Sequence, residues 1–190
     1  MSDPLRVALL GYGTAGASFH APLIAAVDGL TLSAVVTSRR DQVLRAHPDA
    51  RVLADPGEVW AARQSYDLVV VATPNHTHLP LAKAAVEARL PVVVDKPLAG
   101  SAAEARELVN RADKARVPLT VYQNRRWDGD FRTMRRLLTS GAVGHPLRLE
   151  SRFDRWRPTV ATEAWKESAA NAGGILLDLG THLVDQALTL

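Results

Sequence analysis

From Leu5 to Tyr122 the chain alternates short apolar runs with helical stretches. The runs are LRVALL at Leu5–Leu10, LTLSAVV at Leu30–Val36, a brief one over Arg51–Ala54, LVVVAT at Leu68–Thr73, PVVVD at Pro91–Asp95 and PLTVY at Pro118–Tyr122. None approaches the roughly 20 apolar residues that span a bilayer. They are also too continuous for strands with one wet face. Strands buried on both faces read this way, and that burial belongs to parallel sheets covered by helices. The intervening segments are helical over about residues 17–27, 41–46, 57–63, 76–89 and 101–116. Asp55-Pro56 places a cap before proline in the first helical turn, and Ser101 with Glu104 forms a capping-box pattern. The expected class is α/β: a doubly wound parallel sheet of Rossmann type over residues 1–123.

After Gln123 the texture changes. Residues 124–190 are expected to begin a second, α+β domain that is incomplete here. In it, Phe131–Leu138 reads as a helix and Pro146–Trp156 as a strand with one solvated face. Thr159–Asn171 is polar with a helical turn, and Gly173–Leu190 opens on glycines and continues as a helix.

Composition acts mainly by exclusion. The 190 residues contain no cysteine, which removes disulfides, thiolate metal sites and cysteine nucleophiles. The N-terminus lacks the layout of a signal peptide, so a soluble, cytoplasmic protein is expected, with no membrane partner. The net charge is +3, but basic and acidic residues interleave along the chain, so no nucleic-acid partner is expected. His76 and His78 are close in sequence, yet no compact ligand set joins them, so no metal is expected.

Gly11-Tyr12-Gly13-Thr14-Ala15-Gly16 is a G-x-G-x-x-G string that follows the first expected strand and opens a helix. In that context the first glycine permits a tight turn, the second admits a pyrophosphate to the backbone, and the third lets helix and strand pack closely. The helix N-terminus offers free N–H groups to phosphate. A tight β–α turn without ligand is the plainer reading. At the end of the second strand, Val36-Thr37-Ser38-Arg39-Arg40 has no acid to accept from the adenosine ribose. Ser38 can hydrogen-bond a 2′-phosphate and Arg39 can pair with it, so NADP is favoured over NAD. Alternatively, Arg39 and Arg40 are solvated at a helix start and NAD is held another way.

Asp95-Lys96-Pro97 ends the fifth strand, at the edge where open parallel sheets bind ligands. Thr73, Pro74, Asn75 and His76 are expected to line the same crevice, and His78 is expected among the cofactor-binding residues. Lys96 is either a group that reaches nicotinamide or substrate, or a surface lysine. Asp178 and His182 lie four residues apart and share a helix face, with Asp185 close to it. From spacing alone this is either a carboxylate–imidazole pair for proton transfer or a polar stripe facing water.

Taken together, GYGTAG, DKP and GGILLDLGTHLVDQAL resemble the Gfo/Idh/MocA family of NAD(P)-dependent oxidoreductases, in the family's order and along essentially the whole chain. Within it, GYGTAGASFHAPL, VVTSR and VYQNRRWDGDF look most like NADP-dependent scyllo-inositol dehydrogenases. The resemblance implies that Lys96 is the lysine of the E-K-P motif, with Asp95 standing for its glutamate. It implies that His182 is the general base for alcohol oxidation and that Asp178 orients it or a substrate hydroxyl. Asp185, Arg126 and Trp127 keep open roles. Arg125 is read as a surface residue beside a helix cap at Asp128. The implied substrate is a polyol, sugar or related carbonyl, inositol-like by preference, and the intact protein is expected to be a homo-oligomer. The rival reading is a nucleotide-binding sensor without turnover. The apolar ending at Leu190 reads as a truncation, with an exposed apolar face on Gly173–Leu190.

Overall fold

A computed structural model describes residues 3–154, 156, 158–159 and 173–190. Most of the segment Thr159–Asn171 lies outside the described residues. The chain divides into two compact units, Met1–Val121 and Tyr122–Leu190.

The first unit is built on six strands: β1 (Leu5–Leu10), β2 (Leu30–Val36), β3 (Arg51–Leu53), β4 (Leu68–Val71), β5 (Val92–Asp95) and β6 (Leu119–Tyr122). They lie in the order β3-β2-β1-β4-β5-β6. Neighbours from β3 to β5 all pair in parallel. The helices are α1 (Ala21–Ala26), preceded by a π-helical turn at Gly16–His20, then α2 (Arg40–Ala46), α3 (Gly57–Ala61), α4 (Asn75–Glu87) and α5 (Ala102–Ala115). The strand order reverses between β1 and β4, and a crevice opens beyond their carboxyl ends at such a switch point.

The continuous apolar runs are explained by two cores. Ala8, Leu10, Val36, Val69, Val71, Val92 and Val94 pack on one face with Ala82, Val86, Leu108 and Ala112. Val7, Leu9, Val35 and Val70 point the other way, toward Ala21, Ile24 and Val43. Alternate side chains feed alternate faces, so successive central strand positions are apolar. Ser101 caps α5 as expected: the Glu104 N–H donates to Ser101 Oγ at 3.3 Å, and the Glu104 carboxylate meets the same serine through its hydroxyl, which donates to Oε2 at 3.0 Å.

In the second unit, a 3₁₀ turn at Asn124–Trp127 leads into α6 (Gly129–Thr139), and a π-helical turn at Leu176–Gly180 leads into α7 (Thr181–Thr189). The strand expected at Pro146–Trp156 does not form over its described residues. Leu147 and Trp156 are almost fully exposed. A strand needs a partner for its N–H and C=O groups, and no described strand pairs with this segment. No helix of the described residues is long and apolar enough to cross a membrane.

Candidate active site

The glycine loop closes the switch point. Gly11 has φ +96°, a left-handed value that favours glycine, and a Cβ there would lie 2.5 Å from the Ala72 carbonyl oxygen. Its N–H donates to the Val36 carbonyl at 3.0 Å, and the Ala72 N–H donates to that of Leu10 at 2.8 Å. The ends of β1, β2 and β4 are thus tied together. A Cβ on Gly16 would overlap the Gly11 carbonyl oxygen, so helix and loop pack as closely as glycine alone allows. At Gly13 nothing lies within 4 Å of a built Cβ. The middle glycine therefore leaves open space beside the backbone, while the outer two fill theirs. Thr14 and Ala15 form the first helical residues, and Tyr12 is buried, with its ring edge-on to His47 at 6.2 Å. This arrangement fits a dinucleotide pyrophosphate at Gly13.

At the end of β2, Ser38, Arg39 and Arg40 are exposed. Arg39 is not simply solvated: its Nη1 donates to the Tyr12 carbonyl at 3.2 Å. Its backbone N–H donates to Thr37 Oγ1 at 3.0 Å. The guanidinium is held against the glycine loop, and no carboxylate stands in Val36–Arg40.

Beyond β4, Thr73 and Pro74 form the turn before α4, which Asn75 begins. Thr77 Oγ1 lies 2.6 Å from Thr73 Oγ1 and 2.7 Å from the Pro74 carbonyl, which stiffens the turn. His78 does not line a crevice. It is 1% exposed, and its two ring nitrogens lie 2.7 Å from the Pro97 carbonyl and 2.8 Å from the Thr73 carbonyl. Neither nitrogen is left for a cofactor, which corrects the sequence-based expectation for this residue.

Beyond β5, Asp95 Oδ1 accepts the Lys96 backbone N–H at 2.7 Å, and the Lys96–Pro97 peptide is cis. Lys96 is half-buried. Asp95 Oδ2 lies 3.6 Å from Nε2 of His20, a buried residue of the first π-helical turn. His20 was not singled out in the sequence. Its only signal is a histidine four residues after Gly16, and nothing local distinguishes it from a surface helix residue.

In the second unit, Asp178 lies on the π-helical turn and His182 in the first turn of α7. Asp178 is half-buried and His182 is 5% exposed, while Ile175, Leu176, Val184 and Leu188 are exposed. His182 and Leu179 turn inward, whereas these four apolar residues turn outward. Asp185 is engaged by Arg126: Nε donates to Oδ2 at 2.7 Å and Nη2 to Oδ1 at 2.6 Å. Arg125 is likewise not a free surface residue. Its Nη1 donates to Asp128 at 2.8 Å, its guanidinium lies 4.9 Å from the Phe153 ring centre, and its carbonyl accepts from Gln186 at 3.0 Å. Asp128 occupies the N-cap position of α6 without a side-chain cap bond. Trp127 is exposed. Among the described residues, no three His, Cys, Asp or Glu side chains cluster as metal ligands would.

Two family models match the chain: the oxidoreductase family with NAD-binding Rossmann fold over residues 5–123, and the GFO/IDH/MocA C-terminal domain over residues 131–190. The chain belongs to the Gfo/Idh/MocA oxidoreductase family. Its relatives in that family include the uncharacterized oxidoreductase YdgJ of Escherichia coli K12, 45% identical over the whole chain and 54% of YdgJ. The scyllo-inositol 2-dehydrogenase (NADP(+)) IolW of Bacillus subtilis is 38% identical over 99% of the chain and 52% of IolW. The solved YPO2259 oxidoreductase of Yersinia pestis superposes with a TM-score of 0.90 at 44% identity, over 100% of this chain and 53% of that one. The chain spans about half the length of the curated relatives it matches.

Proposed function

We propose that this chain serves an NADP-dependent oxidoreductase that interconverts a secondary alcohol and a ketone on a polyol or sugar, an inositol-like ring by preference. The observation that carries the cofactor choice is Arg39. Its guanidinium is tethered to the Tyr12 carbonyl of the glycine loop, where no carboxylate competes. A planar cation held there suits a 2′-phosphate. Kinship with IolW supports the substrate class.

Gly11–Gly16, Ser38, Arg39, Thr73–Asn75 and Asp95–Lys96 would hold the dinucleotide. When bound, the nicotinamide supplies or accepts the hydride. The residues of the chain orient substrate and move the proton. Lys96 brings an ammonium to the carboxyl edge of the sheet, where it stabilises negative charge developing on the substrate oxygen. His182 takes the hydroxyl proton on an imidazole nitrogen during oxidation and returns it during reduction. Asp178, one helical turn away, orients the imidazole or a substrate hydroxyl. The intact protein is proposed to be a homo-oligomer.

The test is direct. Arg39→Asp is expected to weaken NADPH binding by about 10- to 100-fold, the range of a charged hydrogen bond, with NADH nearly unchanged. Equal affinities before and after would remove the NADP assignment. Lys96→Ala and His182→Ala should each depress turnover on scyllo-inositol by about 100-fold or more while sparing cofactor binding. NADPH binding without turnover of any polyol or ketose would point to a sensor instead.

A further inference from the structure

Among the described residues, the buried polar or charged side chains are three histidines: His20, His78 and His182. Proton transfer uses His182. The other two converge from separate helical segments on Asp95-Lys96-Pro97.

His78 lies in the first turn of α4. Its Nδ1 is 2.7 Å from the Pro97 carbonyl oxygen and its Nε2 is 2.8 Å from that of Thr73. Thr73 follows β4 and Pro97 follows β5, so one rigid ring joins the turns beyond two neighbouring strands. A neutral imidazole donates to one of these carbonyls and the protonated ring donates to both. No amide side chain reproduces this, because both amide donors sit on one nitrogen. From the other side, His20 Nε2 lies 3.6 Å from Asp95 Oδ2, and Asp95 Oδ1 accepts the Lys96 N–H at 2.7 Å. The turn is therefore met from two sides: Asp95 Oδ1 accepts the Lys96 N–H, His78 bonds the Pro97 carbonyl, and His20 Nε2 faces the other Asp95 oxygen at ion-pair distance.

We propose that His78, backed by His20, is a positioning residue that fixes the backbone on both sides of Lys96 and so sets where the ammonium works. The inference rests on the role given to Lys96 above and extends it. At 1% exposure His78 is too deep to touch a ligand. A histidine that merely filled the core would not need both nitrogens on the backbones of two ligand-facing turns. Burying an imidazole costs stability unless it is hydrogen-bonded, and here the bonds are spent on this turn.

The chain has four lysines, so the amine reactivity of each can be followed separately by peptide mass spectrometry. In the cofactor-free chain, His78→Asn is expected to change the reductive methylation rate of Lys96 upward by about fivefold, the effect of one lost hydrogen bond. Lys83 and Lys114 should keep their rates. With NADP+ and scyllo-inositol, kcat should fall while NADPH affinity holds within about twofold, and the fall should vanish in a Lys96→Ala background, as expected of residues acting through one another. Should His78→Asn fail to fold, the His20 pair carries the same test: His20→Leu should raise the Lys96 rate, and His20→Gln, which keeps a donor toward Asp95, should restore it. An unchanged Lys96 rate in a folded His78→Asn or His20→Leu chain overturns the proposal. So does a loss of NADPH affinity as large as the loss of kcat. A wild-type chain that binds no NADPH would sink the proposed function but leave the lysine measurement intact.

Discussion

Gly13 and Gly16 are three residues apart yet respond in opposite ways to a methyl group. A Cβ on Gly16 overlaps the Gly11 carbonyl, whereas one on Gly13 meets nothing within 4 Å. Gly16→Ala is therefore expected to destabilise the chain by about 1–3 kcal/mol, the range for forcing an atom into packed space. Gly13→Ala should change stability by less than about 0.5 kcal/mol and still weaken NADPH binding, because the methyl occupies the approach to the backbone. Urea unfolding and a fluorescence titration with NADPH separate the two. Equal stability losses would show that the middle glycine, too, is there for packing. Both glycines are plain in the sequence, but their different jobs are not. The distinction depends on which carbonyl lies opposite each Cα. The same limit applied at Arg6 and Asp67, 61 residues apart. The Arg6 guanidinium donates to both Asp67 oxygens, and the Arg6 backbone N–H donates as well. The first of these contacts, then the second, lowers the Asp67 carboxyl to about 2. Because the folded value lies below the usual carboxylate range, the pair's contribution is full above about pH 4 and fades as pH falls through about 2. Asp67→Asn should lower the urea midpoint at neutral pH, and the gap to wild type should close in acid. A gap that persists at low pH would assign the effect to something other than charge.

At the scale of elements, the strands of the first unit were the legible part. Val69–Val71 and Val92–Val94 are uninterrupted valine because both faces of β4 and β5 are covered. The segment Pro146–Trp156 carries an equally good alternation, yet alternation states only which face would be apolar, not which strand would pair with it. The π-helical turns at Gly16–His20 and Leu176–Gly180 had no sequence signal either. Nor did the bond between the turn Asn124–Trp127 and α7. There Arg126 grips Asp185 with two parallel hydrogen bonds, 59 residues away in sequence. The residue left open in the family motif thus acts as an anchor for this turn, one helical turn from His182. Asp185 raises the Arg126 guanidinium further above its ordinary value. Since about half of the Arg126 side chain is exposed, Asp185→Asn should cost only about 1 kcal/mol. Its signature is local: faster amide exchange at residues 124–127, with β1 and β4 unaffected. Unchanged exchange in the turn would mean that the Gln186 bond to the Arg125 carbonyl holds it alone.

For the whole chain, the legible features were those repeated locally: strand periodicity, the glycine loop, and the motif order that marks the family. The pairing of buried histidines with distant turns was not, because a histidine at an inward helix position has the same letters around it as one at the surface. Function at this scale reads out through stability. Residues 5–123 form the nucleotide-binding match, and a ligand that binds only the folded state stabilises it by mass action. NADPH at 100 times its dissociation constant adds about 2.7 kcal/mol. For a protein of this length, each kcal/mol raises the melting midpoint by about 2–4 °C, so a shift of about 5–10 °C is expected. If Arg39 discriminates as proposed, NADH at the same concentration should give a shift smaller by at least about 3 °C, the equivalent of a tenfold weaker affinity. Arg39→Asp should abolish that difference while leaving the NADH shift in place, since the glycine loop is common to both. Equal shifts for the two dinucleotides in the wild-type chain would show that the Arg39 contact with the Tyr12 carbonyl serves the loop rather than a phosphate. Absence of both shifts would show that closure of the glycine loop does not by itself make a binding site.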